Sequence, residues 1–219
     1  MAEAIIRGQP RRAGGGAGRG DFTDGGFGDP DRGDGVPPGT VRRTYRTGMG
    51  LALLGISMLF VAFTSAYIVR SGLSNDWQPV ELPPLMWWNT GALLASSVTM
   101  ELTRRALNNG LRAQCNRWLA ATAALGLAFL VGQWGVWRQL SGHGIFLDTN
   151  PSSSFFYLLT ATHALHLLGG LLALLYIVSE AWRYRLGPAK RTLVEVTATY
   201  WHFMDGLWVY ILLLLWFWR

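Results

Sequence analysis

The sequence predicts an all-α protein: an integral membrane bundle of five transmembrane helices, N-terminus cytoplasmic and C-terminus periplasmic. Three observations predict it. Half of the 219 residues are hydrophobic and 15% are charged, against about 25% charged in ordinary soluble domains. The apolar residues gather in five blocks, each near or above the ~20 residues that cross a ~30 Å hydrocarbon core. Arg and Lys collect between alternate blocks, as cytoplasmic segments do.

Taken in order, residues 1–44 are a Gly/Arg/Asp-rich tail, with Gly14-Gly15-Gly16 and Gly25-Gly26 and almost no aliphatic content. Such a segment buries too little apolar surface to offset its ordering entropy, so it is expected to be disordered unless a partner holds it. No apolar stretch follows its early arginines, so it does not read as a secretory signal. Residues 45–219 form the membrane domain. The spans read as about 48–69, 85–102, 118–137, 155–182 and 196–218. None shows the alternation of a membrane β-strand, which leaves helices.

The connecting segments set the orientation. Arg42, Arg43, Arg46, Arg104, Arg105, Arg112, Arg117, Arg183, Arg185, Lys190 and Arg191 fall on one side; Arg70, Arg138 and Arg219 fall on the other. The first side is therefore cytoplasmic. Trp77, Trp87, Trp88, Trp137 and Trp218 mark the outer boundary, where amphipathic rings settle. The net charge of +6 and pI near 10.0 belong to these loops rather than to a nucleic-acid surface.

Other classes are excluded by composition. A disordered regulator is poor in aromatics, whereas this chain carries 11 Trp. Cys115 is the only cysteine, which removes a disulfide framework and any cysteine-based zinc or iron–sulfur site within the chain. No Gly-rich phosphate loop, Ser-His-Asp set or acidic metal cluster occurs.

Polar residues inside the spans carry the information, because each is costly in lipid. Span four holds Thr160, His163 and His166; span five holds His202 and Asp205. His163 and His166 share a helix face, as do His202 and Asp205. His166 lies ~17 Å from the outer end of its span and Asp205 ~14 Å from the inner end of its own, so they meet at a similar depth. The expected arrangement is a polar clamp in which Asp205 hydrogen-bonds His163, His166 or His202 between neighbouring helices. Two other readings compete: haem ligation by histidines on facing helices, and a proton relay. A carboxylate at this depth suits a hydrogen-bonded pair better than a haem site. Elsewhere, Glu101 and Arg105 form an i,i+4 boundary pair, Arg70 reaches the interface or a lipid phosphate, and His143 sits in a loop with Asp148. Gly126, Gly132, Gly135, Ser96, Ser97 and Thr99 read as close-packing residues. A small transporter is disfavoured, since no inverted repeat or matched pair of broken helices is visible.

These residues resemble a known family. Tyr200-Trp201-His202-Phe203-Met204-Asp205-Gly206-Leu207-Trp208 is similar to the W-H-F-x-D-x-x-W signature of cytochrome c oxidase subunit III. Ser154-Phe155-Phe156, Thr160, His163, His166 and Gly169 resemble its S-x-F-F-x-x-x-T-x-x-H-x-x-H-x-x-G helix. Asn89-Thr90 with Ser96-Ser97, and Ser65-Ala66-Tyr67, resemble further stretches of the family. The resemblance covers residues 48–219 and implies the short, five-helix form. It also implies a non-catalytic subunit III of a bacterial haem–copper terminal oxidase in aerobic respiratory electron transport, with oxygen reduced to water and protons translocated. Such a subunit would stabilise subunit I, bind phospholipid and support proton uptake. Haem and copper would lie in partner subunits and none in this chain. The implied partners are subunit I directly, subunits II and IV, membrane lipids and a larger respiratory supercomplex, with no nucleic acid. The implied location is the bacterial inner membrane, multi-pass. Trp201, Phe203 and Trp208 are family-signature positions, and Arg70 a lipid-phosphate contact.

Two departures bear on mechanism. The family's S-E-x-x-F-F stretch reads Gly55-Ile56-Ser57-Met58-Leu59-Phe60 here, and its Q-x-x-E-Y reads Gln133-Trp134-Gly135-Val136-Trp137. Both intramembrane glutamates are missing, which favours a scaffold over a proton antenna. The alternatives are a bis-His haem b membrane cytochrome carrying electrons, or subunit III of a quinol oxidase or nitric oxide reductase.

Overall fold

The computed structural model describes residues 38–73, 77–78, 82–183 and 188–217. The first 37 residues of the tail, and Trp218 and Arg219, lie outside the described residues. Among the described residues there are five helices and no strand: α1 (Pro38–Leu73), α2 (Pro84–Asn108), α3 (Arg112–Gly142), α4 (Pro151–Trp182) and α5 (Pro188–Phe217).

The helices run past the apolar blocks at most ends because backbone hydrogen bonding, not hydropathy, decides where a helix stops. α2 starts at a proline whose missing N–H costs nothing in the first turn. Gly110 adopts φ +72° just after its end, a left-handed turn that glycine takes without a Cβ clash. Only three residues separate α2 from α3, so the polar stretch read as a long connection is mostly helix. α3 ends in the same way: Gly144 takes φ +78° and the Ile145 N–H bonds back to the Leu140 carbonyl at 3.0 Å. α4 opens with Pro151 and a capping box. The Asn150 side chain accepts from the Ser153 N–H at 2.9 Å, and the Ser153 hydroxyl accepts from the Asn150 N–H at 3.2 Å.

Four helices close a ring. α2 packs most intimately on α3, α3 on α4, α4 on α5, and α5 back on α2. α1 lies outside this ring against α4 and α5 and touches neither α2 nor α3. The core runs down the axis: Trp201, Trp208, Phe129, Phe156 and Met86 are at most 1% exposed. On α3 the buried residues Cys115, Leu119, Thr122, Gly126, Phe129, Gln133, Val136 and Leu140 recur every three or four positions, the stripe of a bundle helix.

α1, α3, α4 and α5 are long and apolar enough to cross a membrane. α2 has the length but not the apolar character. Its surplus polar residues Asn89, Thr90, Ser96 and Thr103 are buried against neighbouring helices, which is where a membrane protein hides them.

Candidate functional site

The buried polar groups lie between helices. Trp201 is fully buried and its indole N–H donates to the Ser96 hydroxyl across α5 and α2 at 2.9 Å. Two turns further on, the Trp208 N–H donates to Thr90 Oγ1 at 3.0 Å. On α3 the Trp137 N–H donates to Thr160 Oγ1 of α4 at 3.2 Å, while the Thr160 hydroxyl donates to the Phe156 carbonyl at 2.7 Å. The Tyr210 hydroxyl donates to Thr64 Oγ1 of α1 at 3.0 Å, and the Tyr200 hydroxyl to the His166 carbonyl at 2.8 Å. Thr99 and Thr122 share a bond at 2.8 Å between α2 and α3. An aromatic ring fills volume while its polar tip finds a partner on the next helix, so packing and hydrogen bonding coincide.

The three histidines occupy different niches. His163 is 0% exposed and lies between Phe129, with ring centroids 6.0 Å apart, and Trp208 at 5.1 Å. His166 bonds the Thr162 carbonyl one turn back at 2.8 Å and meets the edge of Phe60. His202 bonds the Ser97 hydroxyl of α2 at 2.6 Å. Phe203 is half-buried against the core.

The expected bond between Asp205 and an imidazole is not formed. Asp205 is 3% exposed, and neither of its carboxyl oxygens has a hydrogen-bond partner. Trp201 and Trp208 flank Asp205 at i−4 and i+3, and both donate to α2. That face meets the bundle axis, where Trp208 also adjoins His163 of α4 at 5.1 Å. His202 also goes to α2 rather than to Asp205. Gln133 and both nitrogens of His163 are likewise buried without a partner. Asp205→Asn is accordingly expected to leave the purified protein at least as heat-stable as wild type. Loss of about 1–3 kcal/mol in a thermal-unfolding series would instead reveal a hydrogen-bonded clamp.

The remaining candidates are peripheral. Glu101 pairs with Arg105 at 3.3 Å as expected, and also with Arg104 at 3.1 Å. Arg70 is exposed near the end of α1 and lines a cavity of about 830 Å³ with Asp148, Thr149, Asn150 and Phe155. His143 is exposed after α3.

Ser96, Ser97 and Thr99, expected as close-packing residues, carry hydrogen bonds: Ser96 accepts from Trp201, Ser97 bonds His202 and Thr99 pairs with Thr122 of α3, while Thr90, singled out in the sequence only within a family stretch, accepts from Trp208. The available signal was the polarity of α2 itself, which needs acceptors or donors on other helices to be tolerable in a membrane.

The His163 imidazole is walled by the Phe129 and Trp208 rings, and among the described residues no group of three or more His, Cys, Asp or Glu is placed to hold a metal ion.

The fold defines a class: all-helical bundles with several helices long and apolar enough to cross a membrane. A family model described as Cytochrome c oxidase subunit III matches residues 33–219, and the chain belongs to that family. It is 34% identical over 175 residues to cytochrome c oxidase subunit 3 of Synechocystis sp., covering 76% of this chain and 72% of that one. It is 30% identical over 169 residues to the probable cytochrome c oxidase subunit 3 of Mycobacterium tuberculosis, covering 75% and 83%. Over 125 residues it is 33% identical to cytochrome c oxidase subunit 3 of Corynebacterium diphtheriae, covering 57% and 61%. The respiratory role follows from the family: a subunit of a multisubunit oxidase.

Proposed function

We propose that this chain is the non-catalytic third subunit of a bacterial haem–copper terminal oxidase. It packs on the catalytic subunit I, with subunits II and IV and a respiratory supercomplex as further partners. All five helices cross the inner membrane, with the N-terminus cytoplasmic by the distribution of arginine and lysine. α2 crosses despite its polarity because its polar face is bonded within the bundle. Haem and copper belong to the partner subunits; there the complex reduces oxygen to water and conserves the energy as a proton gradient.

The observation that carries the reading is the set of indole-to-hydroxyl bonds around α2 and α5. Trp201 and Trp208, the signature tryptophans, donate to Ser96 and Thr90 of α2. This chain's contribution is mechanical: it presents a fixed bundle against subunit I, holds phospholipid, with Arg70 as one phosphate contact, and supports proton uptake by stabilising the uptake surface rather than by carrying protons itself. The absence from this sequence of both intramembrane glutamates supports that division of labour.

Affinity purification through this chain in mild detergent tests the reading. Haem and copper are expected to travel with it in a large membrane partner. Recovery of the chain free of any haem–copper protein would contradict it.

A further inference from the structure

Two fully buried side chains on neighbouring helices offer hydrogen bonds that no group of the chain takes up. Gln133 of α3 is 1% exposed and His163 of α4 is 0% exposed. Neither polar atom of the Gln133 amide and neither ring nitrogen of His163 has a partner. The contacts around them place both in one layer. One turn before Gln133, Phe129 meets the His163 ring, with centroids 6.0 Å apart. One turn after it, Trp137 donates to Thr160 Oγ1, three residues before His163. Gln133 therefore lies level with the helical turn from Thr160 to His163. Asn89 of α2 reaches the same level. A Cβ on Gly132, the residue before Gln133, would collide with the Asn89 amide, and Asn89 Nδ2 is unpartnered too. On α5, Trp208 closes the layer, tilted over His163 at 5.1 Å and bonded to Thr90.

Unpaired polar groups are costly away from water, and most of all in a bilayer. Protein interiors answer them with ordered water held by several polar partners. The chemistry here selects such a ligand. An amide offers both donors and an acceptor, and a neutral imidazole offers one of each. A ligand that satisfies both must donate, accept and be small. We propose that Gln133 and His163 bind an internal water molecule that links α3 to α4 in the core of the bundle. The water accepts from an N–H of one side chain and donates to the amide oxygen or bare ring nitrogen of the other. Asn89 Nδ2 is a further donor at the same level. Because no other group bonds the His163 ring, this water sets which of its nitrogens carries the proton.

The test is a density map of the wild-type complex, purified through this chain, at a resolution that shows ordered water. One water peak is expected within hydrogen-bonding distance of both the Gln133 amide and a His163 ring nitrogen. A direct bond between Gln133 and His163, or the lack of any peak between them, overturns the proposal. Variants read the same link without a map. Gln133→Met and His163→Phe each leave the opposite group unpaired, whereas the two together leave neither. The double variant is therefore expected to lose less in melting temperature than the sum of the single losses. Strictly additive losses overturn the proposal. The layer lies wholly within this chain, so the result holds whichever partners accompany it, and the haem content of the same preparation reports separately on the subunit reading.

Discussion

Trp208→Ala is expected to destabilise the bundle by about 3–5 kcal/mol, the range for deleting a fully buried large aromatic. Trp208 is 0% exposed and packs edge-on against Phe129, with ring centroids 4.9 Å apart, and beside His163 at 5.1 Å. It is the point where α2, α3, α4 and α5 meet in one layer, and its removal leaves a cavity in all four. It also removes a donor from the Thr90 hydroxyl, which keeps its own bond to the Met86 carbonyl at 2.9 Å. Trp208→Phe keeps one aromatic ring and loses the N–H to Thr90 with the rest of the indole, so its loss is expected to fall below that of Trp208→Ala and above the ~1 kcal/mol of the hydrogen bond alone. Trp134, 61% exposed on the same bundle, supplies the control, since its replacement by alanine is expected to stay within about 0.5 kcal/mol. Detergent-titration unfolding followed by tryptophan fluorescence or circular dichroism reads all three. Equal losses for Trp208→Ala and Trp134→Ala would contradict the packing described.

The second large effect comes from adding atoms. A Cβ at Gly126 would lie 2.7 Å from Cη2 and 2.9 Å from Cζ2 of Trp201. The indole has no room to retreat, because its N–H is tied to Ser96 and the ring is fully buried. Gly126→Ala is therefore expected to cost about 1–3 kcal/mol, as overpacking of a close-packed core does, and Gly126→Val more. Leucine at position 201 removes the clashing ring atoms. In the pair Gly126→Ala with Trp201→Leu the loss is expected to be smaller than the sum of the single losses. Strict additivity would mean that the two residues do not meet. Gly55, whose added Cβ would touch nothing within 4 Å, is expected to accept alanine without penalty.

Much of the fold was legible because hydropathy reports directly on membrane spans. Five blocks became five helices, in order. The boundaries were read short at most ends because the helical ends are not apolar. The stretch around Thr103 and Arg112 is polar yet helical, and its stop is written in Gly110, not in hydropathy. α2 shows the limit of composition as a guide. Its polarity places it below the apolar character of the other four helices, and the compensation, hydroxyls meeting indoles on α5, is a property of two helices together.

The polar residues of the spans stand out in the sequence, and rise per residue predicts a similar depth for His166 and Asp205, but not which way each side chain turns. Azimuth depends on how each helix is rolled about its axis, and that is decided by the largest side chains. The family signature made the same residues conspicuous without saying what each one touches.

The central claim is that this chain holds its helices together with its own polar groups and carries no redox centre. The reduced-minus-oxidised optical spectrum of the chain, stripped of its partners in harsher detergent, tests it most directly. The account predicts a flat spectrum from the stripped chain while the haem bands remain with the partner fraction. A Soret band retained by the stripped chain would make His163, His166 and His202 haem ligands and contradict the account.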